Sequence, residues 1–200
     1  MPKQTPSQTI GPYFAYGLTP EAYGRTGIAS EVLVSDLTQG QRIRIAGTVY
    51  DGAGGPVADA LIELWQANSA GRYRHPADTR RGIPLDDGFT GFGRAATDAQ
   101  GTFRFETVKP GRVPGRGNAL QAPHAGITVF ARGMLNHAFT RLYFSDEGEA
   151  NAEDAVLSSI EASRRGTLIA RLEPPAKGGI PIYRFDIRLQ GMDETVFFDA

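Results

Sequence analysis

The sequence predicts a mainly β chain folded as an antiparallel β-sandwich, and three observations carry that prediction. Its 25 glycines and 13 prolines are spread over 200 residues rather than gathered in one linker, the punctuation that many short strands joined by tight turns require. Apolar and polar residues alternate with a period of two in segment after segment. One stretch alone carries helical spacing. A composition of 40% hydrophobic and 10% aromatic residues is enough for one sizeable core. A single domain over residues 1–200 is therefore expected, with an extended N-terminal arm (1–40) leading into the sandwich core (41–200).

The elements can be justified in order. The first forty residues show little periodicity, and residues 5–17 are dense in Pro, Gly, Tyr and Thr, so the arm is expected to be ordered by what it lies against. RIRIAGTVY then places Ile43, Ile45, Gly47 and Val49 on one face and Arg42, Arg44, Ala46 and Thr48 on the other, a half-buried strand. DGAGGPVADA turns the chain. ALIELWQA, FGRAAT, TFRFET, GITVFA, FTRLYF, TLIARL and YRFDIRLQ follow as strands, most bounded by Gly, Pro or Asp/Asn clusters. Asp98 and Gly101 make a turn, after which Phe103 and Phe105 alternate inward. In SDEGEANAEDAVLSSIEASRRG, acids at the start, Val156, Leu157 and Ile160 at helical spacing, and Arg164, Arg165 and Gly166 as a stop predict one short helix near 150–163. The same reading assigns Asp146, Glu147 and Glu149 to the helix dipole rather than to a cation.

Composition excludes several function classes. A formal net charge of -1 provides no basic field for nucleic acid or an anionic membrane. With no cysteine, a metal would need His, Tyr or carboxylate ligands. The start MPKQTPSQTIGPYFAYG has no signal-type apolar region, and no stretch approaches the length of a membrane span. A cytoplasmic location is expected. GRVPGRGNA is glycine-rich but does not open a helix, so it does not read as a phosphate loop. His75 and His137 lack a second ligand at useful spacing and read as loop or interface histidines.

His124 in QAPHAGITVFARG is the most pointed candidate. In a strand, residues 124 and 126 share a face, so a metal-binding version would carry a second ligand at 126. Gly126 stands there. His124 is then half of a metal site, the remnant of one, or a buried imidazole.

Longer patterns bear on the choice. Ile45, Gly47, Val49, Gly54, Val57, Ile62, Glu63, Leu64, Gly71 and Tyr73, with IELWQANSAGRYRH at their centre, resemble the signature of the intradiol ring-cleavage dioxygenases. From Gly47 to Phe144 the order of signature strand, GRY, the FGRAATDAQGTFRF hairpin, VKPG, then PH and a strand is similar to that family. The resemblance implies an intradiol-type β-sandwich with a mononuclear non-haem ferric ion held by two tyrosines and two histidines. Such enzymes cleave a catechol between its hydroxylated carbons. Tyrosinate is a hard anionic donor that suits Fe(3+), and the metal's charge holds a phenol that otherwise titrates near ~10 in its ionised form.

Carried over by position, Tyr73 and His124 match a tyrosine and a histidine ligand. Val113 and Gly126 stand where the second of each belongs, and Gln121 stands where an arginine usually precedes the histidines. Neither valine nor glycine can bind a metal. Over nearly its whole length the chain is similar to the iron-lacking alpha chains of two-chain members of the family, in TPSQTIGPYFAYGL, FARG, RLYFSDEGEAN and YRFDIRLQGMDETVFFDA. That implies an obligate hetero-oligomer in which a homologous beta subunit carries Fe(3+), the substrates are 3,4-dihydroxybenzoate and O2, and the product is 3-carboxy-cis,cis-muconate. It implies a substrate-binding role for Thr9, Gly11, Pro12 and Tyr13 in the arm, and for Arg132 as anchor of the substrate carboxylate. The aromatic run Tyr13, Phe14, Tyr16 and the C-terminal VFF read as exposed interface material. Two other readings stay open: a self-sufficient dioxygenase with unusual ligands, and a noncatalytic sandwich module.

Overall fold

The structure, a computed structural model, describes residues 13–117, 119–173 and 179–199. Thr9, Gly11 and Pro12 lie outside the described residues, as do the side chains of Tyr13 and Phe14. The described arm begins with a short helix, α1 (Tyr13–Leu18), and a 3-10 turn (Pro20–Tyr23). This corrects the extended reading at residues 13–23. Beyond it the chain does run extended, and Val32 and Val34 bridge to Glu106 and Phe89.

The strands are β1 (Arg42–Tyr50), β2 (Leu61–Gln66), β3 (Phe92–Ala96), β4 (Thr102–Val108), β5 (His124–Phe130), β6 (Ala138–Phe144), β7 (Ile169–Glu173), β8 (Ile182–Arg184) and β9 (Ile187–Arg188). Their order is β3-β2-β5-β6-β7-β8-β1-β4, with β9 alongside β1. β3 and β4 stand at opposite ends of this path although a tight turn at Asp98–Gly101 joins them. The path therefore folds back into two layers, β3-β2-β5-β6 over β8-β1-β4, with β7 pairing into both. The β-sandwich is as expected, yet β1 with β8, β1 with β9, and β6 with β7 pair in parallel.

Alternation fills the space between the layers. Ile43, Ile45 and Val49 of β1, Phe103 and Phe105 of β4, Ala125, Ile127 and Val129 of β5, and Leu142 and Phe144 of β6 form one buried cluster. Gly47 has no room for a side chain, because a Cβ there would lie 1.7 Å from the Phe185 carbonyl oxygen. That approach interrupts the segment read as one strand, YRFDIRLQ. Phe185 N donates to Ala46 O, and Asp186 Oδ1 accepts from Thr48 N at 2.9 Å, so a side chain replaces one rung of the ladder.

The predicted helix is two helices. α2 (Gly148–Glu153) and α3 (Ala155–Ser159) break at Asp154, whose extended backbone (ψ 119°) ends one helix while its carboxylate caps the next. Arg165–Leu168 is a 3-10 turn, so Thr167 and Leu168 precede β7 rather than open it. Glu147 is the N-cap residue of α2 and Glu149 lies in its first turn, as the dipole reading expects, but Asp146 and Glu147 also meet a cation. Both bind Lys109 of VKPG, at 2.5 and 3.0 Å, and Lys109 also donates to the Tyr183 hydroxyl. Burial opposes the ammonium, but these partners hold its pKa above the ordinary lysine value. The C-terminal VFF is only partly exposed: Val196 and Phe198 pack on a second cluster of Ala122, Tyr143, Ala150, Leu157 and Leu168, and Phe197 on the main core.

Candidate functional site

Because the odd-numbered residues of β5 enter the core, His124 and Gly126 share its outer face, as the strand reading expects. Register supplies their neighbours: Gly126 lies between Trp65 of β2 and Arg141 of β6, and His124 opposite Tyr143. The Tyr73 ring stacks on Trp65, centroids 5.7 Å apart and planes 9° from parallel. Gly71 permits the loop that brings it there, with φ +80° and the Arg112 carbonyl oxygen 2.1 Å from where a Cβ would be. Tyr73 N donates to Asp78, which pairs with Arg80 at 2.6 Å. That hydrogen bond from Arg80 holds the Asp78 carboxyl well below its ordinary value.

The structure thus brings Tyr73, His124 and Gly126 together. Val113, buried at 3% exposure, accepts through its carbonyl from Gln121 N at 2.8 Å, which ties its loop to the entry of β5. His124 is 7% exposed, and its Nδ1 lies 2.8 Å from the Ala122 carbonyl. A donor bond there fixes the tautomer with Nε2 as acceptor, the arrangement that histidine ligands keep. Burial, with the Arg141 charge acting in the same direction, lowers its pKa below the ordinary value. Tyr73 is raised by burial, and its hydroxyl has no hydrogen-bond partner among the described residues.

Three neighbours escaped the sequence reading. Arg141 Nη1 donates to Gln121 Oε1 at 2.6 Å and to the Tyr143 hydroxyl at 3.5 Å. The Tyr143 hydroxyl donates to Asp154 Oδ1 at 3.2 Å, and Asp154 Oδ2 accepts from Ala122 N at 2.8 Å. Burial first, with the Asp154 charge beside it, pushes Tyr143 up to about 12 against the pull of Arg141. The signals were faint: Arg141 and Tyr143 share a face in FTRLYF, and Asp154 stands at a helix-cap position in EDAV.

Arg132 is elsewhere. It follows β5 at the end away from His124, roughly 25 Å along an extended chain, and pairs through Nε with Asp59 Oδ2 at 2.9 Å while its side chain stays 80% exposed. An open groove of ≈ 470 Å³ runs beside it, lined also by Asp51, His137, Phe139 and Phe197. His75 packs edge-on against Trp65, and His137 lies tilted against Phe130.

A family model described as Dioxygenase matches residues 10–191. The chain belongs to that dioxygenase family. Among the relatives of this dioxygenase chain, the protocatechuate 3,4-dioxygenase alpha chain of Burkholderia cepacia is 50% identical over 203 residues, covering 99% of this chain and 98% of its own. The protocatechuate 3,4-dioxygenase beta chain of Burkholderia cepacia is 39% identical over 160 residues, 78% of this chain and 67% of its own. Among solved structures, an intradiol ring-cleavage dioxygenase from Tetranychus urticae matches with TM-score 0.61 at 20% identity, over 86% of this chain and 91% of that one. That likeness shows the fold.

The donor set of this dioxygenase chain does not fit a four-ligand ferric centre. Tyr73 and His124 offer a phenol and an imidazole, and Val113 and Gly126, where the resemblance expects two further ligands, offer a methyl pair and a hydrogen. Space agrees, because a Cβ on Gly126 would already meet the Phe139 ring at 3.3 Å. No helix among the described residues is long and apolar enough to cross a membrane.

Proposed function

We propose that this chain is the alpha subunit of a protocatechuate 3,4-dioxygenase, without iron of its own. In this reading it pairs with a homologous beta subunit that holds Fe(3+), and the two complete the pocket in which 3,4-dihydroxybenzoate is cleaved by O2. The carrying observation is subtraction within a close match: a chain similar from end to end to an alpha chain has Val113 and Gly126 at two ligand positions. Ligand count governs metal affinity, so two donors hold a ferric ion far more weakly than four.

The chain's own work is then positional. Arg132, exposed and outside the Tyr73 and His124 cluster, would hold the substrate carboxylate in the partner's pocket by charge-assisted hydrogen bonds, exchanging Asp59 for the substrate. Thr9, Gly11, Pro12 and Tyr13 of the arm would form part of the pocket wall, where glycine lets backbone approach a flat ring and proline keeps it rigid. The chain would act in the cytoplasm as one domain, its arm being residues 1–40.

Co-expression with the beta subunit tests this, followed by metal analysis and ring-cleavage assay of each chain and of the pair. Iron and activity should track the beta subunit, with full activity in the pair alone. An isolated alpha chain that carries one iron and turns over substrate would end the reading.

A further inference from the structure

The positional reading turns on Arg132, and the fold itself chooses the partner that Arg132 has in this chain. β2 and β5 run antiparallel, with Ile62 opposite Val129 and Leu61 opposite Phe130. Continued past the end of that ladder, the same register sets Asp59 across from Arg132, and there the pair forms, Arg132 Nε to Asp59 Oδ2 at 2.9 Å. The backbone is pinned on both sides. Ala60 N donates to Thr97 Oγ1 and Thr97 N to Ala60 O, both at 2.9 Å, while Met134 N closes a turn on Ala131 O at 3.2 Å. Among the described residues neither side chain has a second ion pair, and the two are 47% and 80% exposed. Asp51 and Asp199 line the groove beside Arg132, so further carboxylates share it with this cation.

We propose that Asp59 is a built-in competitor for Arg132 that makes the anchor reversible, yielding the guanidinium to the carboxylate of an arriving substrate and taking it back as product leaves. The inference rests on the subunit reading above, with Arg132 as anchor. Asp59 touches no substrate and acts through Arg132. An exposed ion pair of this kind holds by a factor of only about 2–5, so a carboxylate that takes the guanidinium as a fork displaces it. An uncharged catechol has nothing to exchange and leaves the pair closed. Cleavage by O2 turns the two hydroxylated carbons into carboxylates, so the product meets Asp51, Asp59 and Asp199 with more negative charge than the substrate had. Like charges then favour its departure. The competitor thus gives up some affinity for an anionic substrate and gains release of an anionic product.

Steady-state kinetics of the assembled enzyme test this. Asp59→Asn, which keeps the shape and loses the charge, and Asp59→Glu, which keeps the charge, are each co-expressed with the beta subunit. Asp59→Asn should lower KM for 3,4-dihydroxybenzoate and the inhibition constant of the ring-opened product together. Each should fall ~3-fold relative to the inhibition constant of uncharged catechol, with no gain in kcat. Asp59→Glu should stay close to wild type. In an Arg132→Ala background the asparagine change should move neither constant, because the competitor has lost what it competes for. If Asp59→Asn leaves KM unchanged or raises it while Arg132→Ala still raises it, Asp59 is not a competitor and the inference is overturned, with the subunit reading intact. An Arg132→Ala enzyme of unaltered KM would instead remove the anchor on which that reading relies.

Discussion

Replacing Asp154 with alanine should destabilise this chain more than any charge change on its surface, and the magnitude follows from four hydrogen bonds. The carboxylate has no exposed surface. Its Oδ1 accepts from Val156 N, Leu157 N and the Tyr143 hydroxyl at 2.9, 2.8 and 3.2 Å, and its Oδ2 from Ala122 N at 2.8 Å. Alanine removes the cap of α3, about 1 kcal/mol, and leaves the buried Ala122 N–H and Tyr143 hydroxyl without their acceptor, roughly 1–3 kcal/mol each. Relief from burying a carboxylate offsets part of this, so about 3–5 kcal/mol is expected in total. Asparagine is the more discriminating change. Its oxygen can keep the three Oδ1 bonds, but its NH2 must then face the Ala122 N–H, so the loss should be about 2 kcal/mol. Urea unfolding followed by circular dichroism, with wild type and variants in the same assembly, reads the difference. A D154A shift below about 0.5 kcal/mol, or D154N as costly as D154A, would refute the reasoning, the second by showing that charge rather than hydrogen bonding holds the turn.

Other outcomes follow from the same contacts. Arg132→Ala in the assembled enzyme should raise the apparent KM for the carboxylated catechol ~10-fold or more without changing iron content, and unchanged steady-state kinetics would remove Arg132 from the pocket. Gly47→Ala should abolish soluble folded protein, since its Cβ would lie 1.7 Å from Phe185 O, whereas Gly166→Ala, with nothing within 4 Å, should express as wild type does; equal yields of the two would contradict the packing. His124 is kept neutral in the fold by burial, with a pKa below the ordinary 6.5. As pH falls through 6.5 the unfolded chain takes up a proton that the folded chain refuses, so stability declines below that value and is complete above it. His124→Gln should flatten that part of the acid limb in urea midpoints between pH 7.5 and 5, and an unaltered slope would show that other groups cause it.

What the sequence revealed and what it hid differ in range. β1, β2, β4 and β5 were legible because each buries alternate residues against one core, so a local period reports their faces. The pairing of Gly126 with Arg141 was not legible, since register between strands depends on loops whose geometry no short window contains. The helix break failed for a related reason. In EANAEDAVLSS an acid before an apolar pair reads as helix interior or as a cap, and only the Ala122 N–H, 32 residues away, decides for the cap. Asp146 and Glu147 were likewise assigned by nearness in sequence to a helix start alone, when Lys109, 37 residues from Asp146, also binds them.

The two ends of β5 carry different fates, and the strand between them explains how one could change without the other. At its start, His124 faces Tyr143 and, with Tyr73 and Arg141, lines a surface closed by its own hydrogen bonds. Beyond its end, Arg132 is exposed and, among the described residues, held only by Asp59. Ala125, Ile127 and Val129 are fully buried between these regions, so the backbone that positions both is fixed by the core and not by either site. A glycine at position 126, where the family resemblance places a ligand, therefore leaves position 132 undisturbed. Had the proposed anchor stood on the loop that carries Val113, a change there would have moved it, and a subunit proposed to act by positioning would have had nothing rigid to act with.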